Sequence, residues 1–161
     1  MNDNATSHVE VSRVIPAEPA RLYALVSDLP RMGEWSPEND GGRWIKGAAG
    51  PTVGARFEGS NSHGTKSWTT TVEIDEADPA RAFTFRSFVG PIKVARWRYQ
   101  FDSVEGGTRV TETWDDQRNW LAKRIGGMAS GVADRAAHNR SGMETTLDNL
   151  AAAAAAPATD G

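Results

Sequence analysis

The chain has 161 residues, 39% of them hydrophobic and 24% charged, with a formal net charge of -3 and no cysteine. That length suits one domain with a sizeable core, and the composition excludes a disordered chain or a membrane-inserted one. The small negative charge sets up no field for a polyanion, so nucleic acid is not an expected partner. The missing cysteines exclude disulfides, thiolate zinc sites and thiol nucleophiles.

The opening MNDNATSH has neither the basic residues nor the apolar run of a secretory signal. A cytoplasmic location is therefore expected, with residues 1–7 a disordered lead. From His8 to Ile15 the chain alternates, with Val9, Val11 and Ile15 on one parity, which predicts a first strand. Prolines at 16 and 19 break it, and Pro19 suits the first turn of a helix in which Leu22, Leu25 and Val26 repeat at helical spacing. Pro30 permits a second short helix, ended at Trp35-Ser36-Pro37 because the residue before proline disfavours the α region.

Six more strands are expected over 41–46, 55–62, 67–76, 82–88, 93–104 and 108–115, with turn chemistry between them at 61–64, Asp78-Pro79, Gly90-Pro91 and Gly106-Gly107. The short connections predict antiparallel neighbours. Past Arg118 the period becomes helical, and Leu121, Ile125, Val132, Ala136, Met143, Leu147 and Leu150 mark one stripe. Gly126-Gly127 is expected to divide this region into a short piece and a long helix. The helix runs on through the alanine tail, with 156–161 frayed. The whole predicts one α+β domain over 8–155, in which a curved seven-stranded antiparallel sheet wraps a long C-terminal helix.

On the strand over 93–104, Trp97, Tyr99 and Phe101 share one parity while Arg96, Arg98 and Gln100 take the other, so the aromatic face points inward. The same rule turns in Phe57, Gly59 and Asn61, then Trp68, Thr70, Val72 and Ile74, then Phe83, Phe85 and Ser87, and finally Val110, Glu112 and Trp114. Each ring contributes about 2–3 kcal/mol by burial, which accounts for this face as core. Yet large rings are mixed with small polar groups, and one helix covers little of a strongly curved sheet. A partly empty, aromatic-lined pocket with a few polar groups is what a small-molecule site looks like. Its expected walls are Phe57, Asn61, Trp68, Thr70, Phe85, Trp97, Tyr99 and Trp114, with Val132 from the helix stripe.

Two charged residues fall on the inward parity: Arg13, between Val11 and Ile15, and Glu112, between Val110 and Trp114. If the first and last strands pair, the two meet on the inner face as polar groups of the pocket. Two plainer readings stand beside this one: a purely structural ion pair, or a bulge that turns Val14 inward in place of Arg13.

The alternating first strand ending in Ile15-Pro16-Ala17, the helix ending in Ser27-Asp28, the turn Gly33-Glu34-Trp35-Ser36-Pro37-Glu38, and Gly106-Gly107-Thr108-Arg109-Val110 before the last strand together form a recognisable set. Over residues 8 to about 155 the chain resembles the polyketide cyclase/dehydrase and lipid-transport branch of the START/Bet v 1-like (SRPBCC) superfamily, and looks most like its actinobacterial members. The resemblance implies a helix-grip fold with a cavity between sheet and helix, and it places Trp35 near the cavity mouth. A ring plugging the end of the core is the alternative for Trp35. Function follows less closely, because the superfamily hosts carriers, cyclases and hydrolases alike.

Catalytic motifs are scarce. His8, His63 and His138 stand isolated in the sequence, with no His-Glu-x-x-His pair, and surface positions account for them, so no metal is expected. No glycine-rich phosphate loop or nucleophile elbow occurs, and no cofactor is expected. Asp115-Asp116 are adjacent on a strand end and point apart. Acid/base chemistry by Glu112, assisted by Arg13 or Tyr99, is the one catalytic arrangement the sequence offers.

Three functions follow from the sequence. The first is a binder of a small hydrophobic molecule such as a lipid, isoprenoid or polyketide; the second is a cyclase, aromatase or dehydratase using the same pocket. The third is an interaction module whose cavity is filled by its own side chains. Either a monomer or a homodimer fits.

Overall fold

In the computed structural model, which describes residues 7–156, strand β1 (His8–Ile15) opens the chain and alternates as its sequence requires, with Val9, Val11 and Ile15 buried. Helix α1 (Pro19–Ser27) follows, with Pro19 in its first turn and Leu22, Tyr23 and Val26 facing the core. The second helix after β1 is a 3-10 helix over Leu29–Glu34, not an α-helix. Six residues are too few to offset α nucleation, and Pro30 lacks a backbone donor, so the tighter turn wins.

The remaining strands are β2 (Asn39–Ile45), β3 (Arg56–His63), β4 (Lys66–Asp78), β5 (Ala82–Val89), β6 (Ile92–Val104) and β7 (Gly107–Asp116). They form one antiparallel sheet in the order β1-β7-β6-β5-β4-β3-β2, with β1 and β2 at its edges. Register shifts between Asn39 and Gly42, Ile74 and Glu76, and Ser87 and Phe88 bend the sheet. Gly42 is required at its bend: a Cβ there would lie 2.1 Å from the Glu58 carbonyl oxygen and 2.7 Å from the Phe57 ring.

Helix α2 (Trp120–Ser130) is capped by the Asn119 side chain, which accepts from the Ala122 amide, and α3 (Arg135–Ala155) by Asp134, which accepts from Ala137. The break between them falls at Gly131, not at Gly126-Gly127. Gly131 adopts φ 72, a left-handed cap that an L side chain resists, whereas Gly126 and Gly127 stay within α2. Helix α3 lies against the concave face of the sheet and meets β1 and α1.

The expected disordered 1–7 and frayed 156–161 fall mostly outside the described residues. At the two described edges the backbone is bonded: Asp116 N–H donates to the Ser7 carbonyl at 2.8 Å, and the Arg21 guanidinium to the Ala156 carbonyl at 2.8 Å. Among the described residues, no helix is long and apolar enough to cross a membrane.

Candidate functional site

Between the concave face and α3, with α2 over its opening, lies a cavity of about 530 Å³. The inward parities of five strands supply much of its wall: Phe57 and Asn61 from β3, Trp68 and Thr70 from β4, Phe85 from β5, Trp97 and Tyr99 from β6, and Glu112 and Trp114 from β7. Strand alternation places them there, since each strand sends every second side chain to one face. Asn61 donates to the Thr70 hydroxyl at 3.0 Å, so two of the small polar groups satisfy each other.

Three residues expected at the pocket lie elsewhere. Arg13 has its side chain 44% exposed and pairs with Asp148 on α3, and Val110 rather than Glu112 stands opposite it in the β1–β7 ladder. A guanidinium on an edge strand reaches water past the helix at less cost than burial beside a carboxylate. Trp35 is buried and belongs to the core cluster, its backbone carbonyl accepting from the Asn149 side-chain amide at 3.0 Å, and it does not line the cavity. Its ring is packed within the core. Val132 falls in the connection after α2 ends, so it is on no helix face and packs outside the cavity wall.

Other wall residues, apart from Ile125 on the helical stripe, lacked a usable signal. Ala122, Ile125, Gly126 and Ala129 of α2 border the opening, and Met32 and Leu29 reach it from the 3-10 helix. Asn139 and Thr146 are a different matter: they sit on the α3 face with Met143, at helical spacing, and are visible in the sequence as polar interruptions of an apolar stripe.

Glu112 is the chemical centre of the wall. It lies opposite Tyr99 in the β6–β7 ladder, is 2% exposed, and accepts a 2.7 Å hydrogen bond from the Tyr99 hydroxyl at Oε1. Its Oε2 is buried and finds no hydrogen-bond partner among the described residues. Burial pushes the Glu112 carboxyl up to about 8, against a smaller downward pull from the Tyr99 bond. Burial, with the neighbouring carboxyl, likewise carries the Tyr99 phenol well above its ordinary value. Both groups are therefore neutral donors at pH 7. Asp115 and Asp116 do point apart, one to His8 at 2.6 Å and the other to the Arg118 guanidinium at 2.8 Å.

At the cavity rim the histidines are not isolated. His63, the last residue of β3, stands edge-on to His138 of α3 with ring centroids 4.6 Å apart. His138 Nε2 is 2.6 Å from Glu38 Oε2, and Arg135 Nη1 donates to both Glu38 oxygens at 2.9 Å. The guanidinium also lies 5.7 Å from the centre of the Trp68 ring. Positions 38, 63 and 138 share no local spacing, so only the tertiary fold reveals the group.

The pattern of the family described as polyketide cyclase / dehydrase and lipid transport matches residues 6–155. No curated protein matches the chain. Among solved structures, a Polyketide_cyc-like protein from Corynebacterium glutamicum is 30% identical, with a TM-score of 0.58 over 92% of this chain and 89% of its own. A protein from Chromobacterium violaceum is 13% identical with a TM-score of 0.70, over 94% of this chain and 100% of that one. The di-domain ARO/CYC protein of the steffimycin biosynthetic pathway is 13% identical with a TM-score of 0.71, over 92% of this chain and 50% of that one. With a family pattern spanning nearly its whole length and a sheet gripping a long helix, this chain belongs to the polyketide cyclase / dehydrase and lipid transport family.

Proposed function

We propose that the protein is a cytoplasmic binder of a small, largely apolar molecule that carries an oxygen function, such as a lipid, isoprenoid or polyketide, held between the sheet and α3. One observation carries this reading: a buried carboxyl with an unpartnered oxygen in the wall of an otherwise mainly apolar cavity. Because Glu112 keeps its proton at pH 7, Tyr99 donates to one oxygen and the acid's own O–H is left to donate to an occupant. A keto, ester or hydroxyl oxygen accepts it, while the aromatic walls bury the rest of the molecule. The volume fits, since small-molecule pockets run to about 300–1,000 Å³. One domain over 8–155, as monomer or homodimer, suffices. The Corynebacterium structure supports placing the chain with actinobacterial members.

Native mass spectrometry of freshly purified protein tests this reading, together with tryptophan fluorescence titrations using a fatty-acid series, farnesol and an anthraquinone. A retained small molecule or a saturable response is expected, weakened about tenfold in Glu112→Leu, which loses the donor. A bare mass with flat titrations overturns it.

A second reading rests on the same carboxyl: an acid that titrates near 8 beside a phenol suits protonation of a substrate carbonyl, as an aldol-type cyclisation needs. The ARO/CYC neighbour supports it. Incubation with a poly-β-keto analogue separates the two, since a carrier returns its ligand unchanged and a cyclase does not.

A further inference from the structure

Glu38, His63 and His138 come from three separate elements, yet the fold fixes them together. The Ser62 amide donates to the Glu38 carbonyl at 2.9 Å, and Asn39 pairs with Asn61, so the β2–β3 ladder holds Glu38 beside the end of β3 where His63 stands. On α3, Arg135 and His138 are three residues apart and share a face, from which both grip the Glu38 carboxylate.

An ion-pair cluster accounts for Arg135 and His138 on Glu38. It leaves His63 unexplained, because that ring touches His138 and has no acidic partner among the described residues. The ligand atoms of His63, His138 and Glu38 all lie within 4.8 Å of one another. A zinc-type ion sits about 2.0–2.2 Å from imidazole nitrogen and carboxylate oxygen, so it bridges donors spaced up to roughly 4 Å. His63 is exposed, which leaves its ring free to turn through the remaining distance.

We propose that Glu38, His63 and His138 form a binding site for a divalent transition-metal ion at the rim of the cavity. Two imidazoles and one carboxylate suit zinc and its neighbours, cobalt and nickel, over magnesium or calcium, which take oxygen donors. Three protein ligands leave coordination positions open, and Glu38 and His138 themselves border the cavity. Arg135 has two opposed effects. Its hydrogen bonds orient the carboxylate, as an outer partner does for a metal ligand, while its charge repels the cation and keeps affinity low. Metal binding is read on the protein alone, so its outcome is separate from that of the ligand titrations of the cavity.

The test is titration of the untagged full chain, stripped with chelator, using Co(II) followed by visible absorption and Zn(II) followed by calorimetry. One equivalent binds, and His63→Ala and His138→Ala each weaken binding about 100-fold, at the upper end of what disturbing a metal's surroundings costs. His63→Ala is the cleaner variant, because the ring is exposed at a strand end and its loss leaves the core intact. Arg135→Gln, which keeps a hydrogen-bond donor but removes the charge, tightens binding by roughly tenfold. Absence of saturable binding, or binding that both histidine variants retain, overturns the site. An unchanged affinity in Arg135→Gln overturns the repulsive role given to that side chain.

Discussion

The two halves of the space under α3 are built from the same sheet face and end in opposite states. Beneath the C-terminal half, Leu147 and Leu150 join Ile15, Leu22 and Phe83 in a buried cluster, with Tyr23 edge-on to Phe83 and Phe101 at 6.0 Å each. Arg21 fastens α1 to the end of α3 through the carbonyls of Ala153, Ala154 and Ala156. Beneath the N-terminal half, Trp68 and Trp97 are half-buried and the cavity opens. Both regions are rich in inward rings, so the sheet does not decide between them. The cover does: α1 fills one end with Leu22, Tyr23 and Val26, whereas α2 presents Ala122, Gly126 and Ala129, which leave room.

This contrast sets the order of expected mutational effects. Phe83→Ala in the closed half leaves an unfilled hole and lowers stability by about 3–5 kcal/mol in urea melts. Trp97→Ala in the open half costs about 1 kcal/mol and acts on ligand response instead. Equal costs for the two would dissolve the distinction between core and cavity.

Glu112 sharpens it through pH. Below about 4.5 the carboxyl is protonated in both the folded and unfolded chain; between there and about 8 only the folded form keeps the proton. Stability contributed by this group is therefore full in acid, falls as pH rises through that window, and is flat above it. Glu112→Gln removes the slope, so the variant exceeds the parent at pH 9 by up to ~5 kcal/mol and matches it near pH 4. Parallel profiles from denaturant melts at several pH values would contradict the buried neutral acid. At the small end, Arg13→Ala shifts stability by no more than about 1 kcal/mol and leaves ligand response unchanged, because its pair with Asp148 is exposed.

Period-two alternation made the sheet and its inward rings legible, since that rule is local and each strand obeys it independently. The β1–β7 pairing was legible only as a condition, which the structure meets, and the fate of Arg13 was not legible: parity names a face, and an edge position lets a long side chain leave it. Gly126-Gly127 misled because glycine weakens a helix without ending it, whereas Gly131 ends α2 through a left-handed φ that no composition reveals. Glu112 and Tyr99 were found by parity alone. The partnership of Glu38, His63 and His138 was out of reach, because it depends on which end of the sheet α3 begins over.

An open sheet has two rows of unpaired backbone groups, each a template on which a second molecule's strand can add. Here the edges are guarded differently. Along β1, Arg140 of α3 donates to the Glu10 carbonyl at 3.4 Å and Asp148 holds Arg13, so the helix is tied along that edge. Along β2, the register shift at Asn39–Gly42 and the glycines there spoil the regular ladder an incoming strand would need. The displaced Arg13, which contributes nothing to the cavity, is thus one of the ties that keep α3 along an edge where a strand could otherwise add.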